Sequence, residues 1–278
     1  MKLVYENELG RAELFGGGDN NIRISGIDGL CVPPYERRGY TSFDFDGAVE
    51  SGRHITRRAV TVGGDIKASV REAAEFLKIF SEPGKLKILT KEFEREINVS
   101  ACEAEYTNKN NGYIKFALSL VCDDPYFYDA EETRLGLYVR EKLIDGGAVF
   151  PLMFSRRTTS ASLPVKSDRE IEPTIIILGS SRKGDGEGRI VIENILTGAI
   201  FTLNYVPEED EIITLDIKER TITSNLSGNL IACISDDSFM SDLVIGKNGA
   251  QFVTTGYGAT GYITAYVIYR NKFLEAMV

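Results

Sequence analysis

The stretch Phe116–Asp129, which reads FALSLVCDDPYFYD, decides how the chain is organised. Its first half alternates, because Phe116, Leu118 and Leu120 fall on one face of an extended chain and the residues between them fall on the other. This is the pattern of a half-buried β-strand. Proline lacks the backbone N–H that a sheet needs and restricts the residue before it, so Pro125 ends the strand. The stretch therefore predicts a strand that stops near the middle of the chain.

Three aromatic residues, Tyr126, Phe127 and Tyr128, follow the proline and belong to no amphipathic element. Rings of this size must be covered by other parts of the protein. Two interpretations are open: together with Pro125 they seal the base of a domain core, or they form the junction between two domains. The second interpretation has support from position, because the stretch divides the 278 residues nearly in half.

Composition places the chain among globular proteins. Its 278 residues are enough for two domains of ordinary size, and 43% of them are hydrophobic and 26% charged. We expect folding in the cytoplasm, because no apolar run approaches the length of a membrane span and the first residues lack the plan of a secretion signal. The net charge of −9 argues against a protein that grips nucleic acid, which needs clustered lysine and arginine.

The cysteines and the single histidine predict neither a metal site nor a disulfide framework. Cys31, Cys102, Cys122 and Cys233 are scattered without a CxxC pair, and His54 is the only histidine. We therefore expect buried free thiols and no cofactor. Catalysis is the weakest hypothesis, because the sequence has no Gly-x-Ser-x-Gly elbow and His54 has no obvious nucleophile partner.

One helix is predicted, over residues 69–81. Ser69 and Glu72 have the spacing of a capping box, in which each side chain accepts a hydrogen bond from a free N–H of the first turn. Phe76 and Ile79 widen the apolar stripe that follows, which indicates either a deeply covered helix or contact with another subunit. The candidate subunit-interface residues are Val70, Phe76, Ile79 and Phe80.

The rest of the first half predicts antiparallel strands. A long strand over Arg95–Tyr106 and its return over Gly112–Val121 read as a hairpin, because the loop between them is rich in Asn and Gly. We predict a first domain over residues 1–132, an antiparallel β domain that carries the one helix.

From Pro173 onwards, short strands recur with Gly, Asn and Asp at the turns, which is typical of a β-sandwich. Leu230–Ile234 is predicted as one of these strands. The last one, Gly261–Tyr269, is apolar on both sides and is therefore expected in the middle of a sheet. We predict a second domain over residues 133–278 and a fold that is mainly β.

These residues resemble the distal tail proteins, the Dit family, of long-tailed phages and related phage-derived tail machines. The resemblance runs over nearly the whole length. In the first half it rests on Arg57–Ile66 and on Phe116–Tyr128, and the ending DPYFYD is its most specific mark. In the second half it rests on the order and spacing of short motifs: Pro173–Ile175, Ile192–Asn194 followed by Gly198, Thr214–Ile217 and Ala265–Arg270.

The resemblance implies a homohexameric ring at the tail tip of a virion, made and assembled in the bacterial host cytoplasm. The first domains would continue the tail tube around a central channel for DNA. The second domains, galectin-like or carbohydrate-module-like β-sandwiches, would project outwards. The implied partners are the tail-tube protein, the tail-associated hub protein and a receptor-binding protein. The acidic charge agrees with this, because a ring that repels phosphates lets DNA slide through.

A carbohydrate-binding module is the alternative hypothesis. β-Sandwiches commonly bind sugars, and Tyr257 and Tyr262 lie close to several glycines, where their rings could stack on a sugar. Tyrosine serves equally well inside a core. Glycan binding by the second domain alone would favour this alternative.

Overall fold

The computed structural model describes residues 1–14, 21–40, 49–109, 113–142, 155–158, 160–163, 165–179, 188–255 and 264–276. Over these residues the chain is mainly β, as predicted, and divides into two compact units. The first unit contains Met1–Ala130 and Lys272–Val278, and the second contains Glu131–Asn271. No helix in this part of the chain has the length and apolar character needed to span a membrane.

Over the described residues, the first unit consists of strands with one helix between β6 and β7. In chain order its elements are β1 (Lys2–Asn7), β2 (Gly10–Leu14), β3 (Ile22–Asp28), β4 (Glu36–Tyr40), β5 (Val49–His54), β6 (Arg58–Lys67), α1 (Val70–Lys78) with a 3₁₀ turn (Ile79–Ser81), β7 (Gly84–Leu89), β8 (Glu94–Val99), β9 (Ala101–Lys109), β10 (Tyr113–Cys122) and β11 (Phe127–Asp129).

The elements of the second unit follow, and one further strand comes after it. They are β12 (Thr133–Lys142), β13 (Ser155–Thr158), β14 (Ser160–Leu163), β15 (Thr174–Leu178), β16 (Ile190–Asn194), β17 (Ala199–Leu203), β18 (Ile212–Asp216), β19 (Thr221–Ser224), β20 (Gly228–Asn229), two 3₁₀ turns (Ile231–Cys233 and Met240–Leu243), β21 (Ala250–Thr255) and β22 (Thr264–Tyr269). The strand β23 (Lys272–Phe273) belongs to the first unit.

The first unit is built from two antiparallel sheets and the helix. One sheet has the order β2-β1-β7-β8-β11-β23, the other has the order β3-β6-β10-β9, and β4 pairs with β5 in a separate hairpin. The alternation that predicted a strand at Phe116 is confirmed, since Phe116, Leu118 and Leu120 are all at most 1% exposed. Both sheets and α1 contribute side chains to one core, among them Tyr5, Phe116 and Leu77.

The predicted strand over Arg95–Tyr106 is wrong in one respect, because the chain changes sheets at Ser100. β8 pairs with β7 and β11 in the first sheet, whereas β9 pairs with β10 in the second. The Ser100 N–H donates to Val121 O (2.8 Å), and its hydroxyl accepts from the Asp123 N–H (3.2 Å). These two bonds hold the chain where it passes from one sheet to the other. The sequence does not reveal this change of sheet, because the apolar and polar residues alternate both before and after Ser100.

The two units do not end where the sequence placed the domains. The first unit ends at Ala130 instead of residue 132, and residues 272–278, predicted in the second domain, belong to the first unit. The reason is a long-range pairing: Phe127 pairs with Phe273 and Tyr128 with Lys272, in an antiparallel register. A two-residue strand that pairs with a partner so far away in sequence leaves no local signal.

The second unit contains a seven-stranded and a four-stranded antiparallel sheet around one core. Their orders are β13-β12-β22-β15-β18-β19-β20 and β14-β21-β16-β17. β22 lies between β12 and β15, which confirms a central strand. The strand predicted over Leu230–Ile234 is wrong: Leu230 is buried, but a 3₁₀ turn follows it because the Cys233 N–H donates to Leu230 O (2.9 Å). The galectin-like character of this unit stays a prediction.

Candidate assembly surfaces

Helix α1 forms as the sequence predicts. The Ser69 hydroxyl accepts from the Glu72 N–H (3.3 Å), and the Glu72 carboxylate accepts from the Ser69 N–H (2.8 Å), so the capping box is complete. The side chains of Ala73 and Leu77 are buried on the side of the helix that faces the core. The ring of Phe80, in the 3₁₀ turn, lies 4.8 Å from the ring of Tyr5. The helix is therefore fixed to the core of its own unit.

The four candidate interface residues differ in exposure. Val70 is 47% exposed, while Phe76 and Ile79 are half-buried against the core. The ring of Phe76 lies edge-on to Phe80 (5.5 Å) and Phe116 (6.4 Å). Phe80 is 1% exposed, so it offers no surface to a neighbouring subunit, and its inclusion in the interface is wrong. Its place in the helical stripe reflects packing inside the unit.

The sheet β3-β6-β10-β9 has one face towards the core and one face outwards. The outward residues at the centre are small: Ala117 is opposite Gly63, and Ser119 is opposite Thr61. Cross-strand partners share a face. The outward face is therefore flat at its centre.

Carboxylates flank this outward face on both sides. Glu103 and Glu105 come from β9, opposite Ser119 and Ala117, and Asp28 comes from β3, opposite Thr61. The three line one open groove of about 470 Å³ together with the small residues. As a group they were not predicted from the sequence. A signal was present, since Glu103 and Glu105 alternate with Cys102 and Ala104 in the strand that precedes the Phe116 strand.

The same sheet has two edge strands. Among the described residues, β3 pairs only with β6 and β9 pairs only with β10. Along β9, Ala104 and Tyr106 are exposed although they lie on the inward side, and Tyr106 is 50% exposed. An unpaired strand edge presents a row of backbone donors and acceptors that another chain can pair with. These two edges and the exposed start of α1 are candidate surfaces for assembly.

The predicted junction stretch packs within the first unit. Phe127 is fully buried, 4.5 Å from the guanidinium of Arg58, and Pro125 O accepts from Arg58 Nε (2.7 Å). The Tyr128 hydroxyl donates to Asp124 (2.8 Å), and the Tyr126 ring lies 4.4 Å from Lys272 Nζ. Phe127 thus seals the core of the first unit, as the first of the two interpretations of this stretch proposed. A role of the stretch as a domain junction stays a prediction.

The described residues can be checked for groups that could hold a metal or act as nucleophiles. No group of three or more His, Cys, Asp or Glu side chains in this part of the chain could hold a metal ion. The four cysteines are free, but only Cys122 is buried as expected, since Cys102 and Cys233 are half-buried and Cys31 is exposed. Burial raises the pKa of Cys122 to about 12 and that of Cys102 to about 11, so these thiols stay protonated. His54 meets Glu36 in an exposed pair at 3.6 Å.

The two tyrosines of the sugar-binding alternative, Tyr257 and Tyr262, lie outside the described residues. The hypothesis that their rings stack on a sugar therefore stays a prediction.

The architecture defines a class: a two-unit, mainly β protein whose first unit carries one helix over antiparallel sheets. No family model and no curated protein matches the sequence. Among solved structures, the fold matches the SPP1 Dit (gp 19.1) protein, described as a paradigm of the hub adsorption apparatus in phages that infect Gram-positive bacteria. The TM-score is 0.68 at 14% identity, over 98% of both chains. A chain of the phage P2 baseplate, in its activated conformation with Ca, matches with a TM-score of 0.50 at 14% identity, over 99% of both chains.

Proposed function

We propose that this chain is a distal tail protein that forms a homohexameric ring at the tail tip of a phage or phage-derived tail machine. The observation that carries the proposal is the likeness to SPP1 Dit over 98% of both chains. The ring joins the tail-tube protein above it to the tail-associated hub protein below it. The second unit faces receptor-binding proteins.

In this ring the outward face of the sheet β3-β6-β10-β9 lines the DNA channel. The small residues at its centre leave room, and Asp28, Glu103 and Glu105 place negative charge beside the passing phosphates. Repulsion keeps DNA from adhering, and the net charge of −9 acts in the same direction.

The ring closes through two different surfaces of each subunit. Head-to-tail contacts require complementary patches that are not the same patch, and they must close after a fixed number of subunits. The edge strands β3 and β9 lie at opposite ends of one sheet and supply such a pair. The exposed Val70 at the start of α1 adds an apolar contact.

The first experiment is the solution mass of the purified chain by light scattering, with negative-stain images of the same peak. Six subunits of 30.8 kDa give about 185 kDa. We expect that mass and a six-fold ring with an open centre. A monomer calls for the same measurement after mixing with the tail-tube protein, which serves as a template. Failure to form rings in both conditions overturns the proposal.

A charge at Val70 tests the interface directly. Val70→Asp places a carboxylate at the first helical position, where the helix dipole tolerates it, so the subunit itself should fold. We expect loss of the hexamer by light scattering with unchanged circular dichroism. The matched control is Leu226→Asp, an equally drastic change at a 58% exposed site in the second unit. Hexamers of Val70→Asp with unaltered stability would remove Val70 from the interface.

A further inference from the structure

The segment that follows the second unit completes the first unit. β23 is the last strand of the six-stranded sheet, where it pairs with β11. Phe273 is 7% exposed and Ala276 is fully buried, and both belong to the core of the first unit. The Ala276 N–H donates to Leu30 O (2.9 Å), which ties the segment to the loop after β3.

Two buried arginines hold consecutive carbonyls of this segment. Arg58 Nη2 donates to Leu274 O (2.5 Å), and Arg95 Nη1 donates to Glu275 O (2.6 Å). The Arg95 guanidinium also lies 3.7 Å from the centre of the Phe273 ring. Hydrogen bonds from a charged donor are stronger than neutral ones, and a donor or acceptor left unsatisfied in the core is costly. The contact is therefore specific to this backbone path.

The topology makes the second unit an insertion in the first. The chain leaves the first unit after Ala130 and re-enters it at Lys272, and the strands on either side of the gap are antiparallel neighbours. The complete second unit thus occupies the place of a hairpin loop. During synthesis, residues 272–276 are made only after this unit.

We propose that the first unit reaches its assembly-competent fold only when residues 272–276 have docked on β11, Arg58 and Arg95. A chain that stops within the second unit then cannot join a ring, since β11 lacks its neighbouring strand β23, and Arg58 and Arg95 each lack one backbone acceptor. The part about ring entry rests on the proposed function. The part about folding stands on the first unit alone.

The test compares two shortened chains with the full chain by hydrogen exchange and mass spectrometry. One ends at Asn271 and lacks the segment, and the matched control ends at Ala276 and keeps it. In the chain that ends at Asn271, we expect exchange of β8 and β11 to be at least about tenfold faster. Peptides of β15 and β18 in the second unit should be unchanged, which shows that the chain is still folded. Equal protection of β8 and β11 in both chains overturns the proposal.

A point variant covers the case in which the shortened chain precipitates. Phe273→Ala in the full chain removes the ring beneath Arg95, and we expect faster exchange concentrated in β8, β11 and β23. Unchanged exchange there also overturns the proposal. If the full chain forms no ring but the exchange results are as expected, the ring function fails and the folding inference stands.

Discussion

Arg58 in the first unit and Glu211 in the second are both charged and almost completely buried, at 1% and 0% exposure, but their partners differ. Arg58 donates to four backbone carbonyls, and its plane lies 4.5 Å from the Phe127 ring. Those acceptors are Gly29 O (2.6 Å), Cys31 O (2.7 Å), Pro125 O (2.7 Å) and Leu274 O (2.5 Å). They come from three separate parts of the chain.

Glu211 has local partners. Its carboxylate accepts from the Tyr205 hydroxyl (2.8 Å), the Glu208 N–H (2.7 Å) and the Ser224 hydroxyl. The farthest of these donors is 13 residues away in sequence, whereas Leu274 is 216 residues from Arg58. Arg58 therefore fixes the topology of a whole unit, and Glu211 fixes one loop beside β18 and β19.

The largest effect is expected from Arg58→Met. The change keeps much of the apolar volume but leaves four backbone carbonyls without the donor that they share, so we expect the first unit to lose more than about 4 kcal/mol of unfolding free energy. Urea unfolding of the full chain, with pulsed hydrogen exchange read over peptides of each unit, measures this. The second unit should unfold at its original urea concentration.

Arg57→Met is the matched control for this variant. Arg57 is the neighbouring residue of the same type, but its side chain is 71% exposed and pairs with Asp123 at the surface (3.0 Å). Removing such a pair changes stability by less than about 1 kcal/mol. Equal losses for the two variants would mean that burial and the four acceptors do not set the importance of Arg58.

The sequence predicts local structure well and long-range structure poorly, and these two side chains show why. The capping box at Ser69 and the strand at Phe116 follow from spacing alone, because their partners are a few residues away. Arg58 lies in the same alternation as the buried Val60 and Val62, which marks it as inward-facing, but nothing nearby identifies its acceptors.

The candidate assembly surfaces were predictable to a similar degree. The helix could be inferred from periodicity, but the exposure of Val70 and the burial of Phe80 could not, because periodicity does not say which apolar residues meet the unit's own core. The carboxylates of Glu103 and Glu105 on β9 and of Asp28 on β3 line one groove only because β9 and β3 are the two edge strands of one sheet.

A smaller and local effect is expected from Glu211→Gln. The amide keeps the volume but turns one acceptor oxygen into a donor that faces other donors, so we expect the second unit to lose about 1–3 kcal/mol at neutral pH. The first unit should be unaffected by the same urea and pulsed-exchange measurement. Glu209→Gln, an exposed neighbour in the same loop, is the control and should leave both transitions in place.

The two buried charges, Glu211 and Arg58, also differ in how their contributions to stability should depend on pH. Burial alone would raise the pKa of Glu211, but hydrogen bonds from Ser224, the Glu208 N–H and Tyr205 together hold that pKa below its ordinary value. A carboxyl whose folded-state pKa is depressed contributes stability above its unfolded-state pKa, and that stability is lost as the pH falls through the folded-state pKa. Arg58 stays charged throughout, although burial lowers its pKa.

The unfolding free energies of the native second unit and of Glu211→Gln should therefore converge as the pH falls below the ordinary glutamate range, because the native carboxyl becomes protonated there. The difference between native and Arg58→Met in the first unit should not depend on pH over the same range, since the guanidinium does not titrate. Other carboxyls titrate equally in both members of each pair and cancel in these differences. A Glu211 difference that stayed constant into acid would show that geometry alone, and not the charge of the carboxylate, holds the loop.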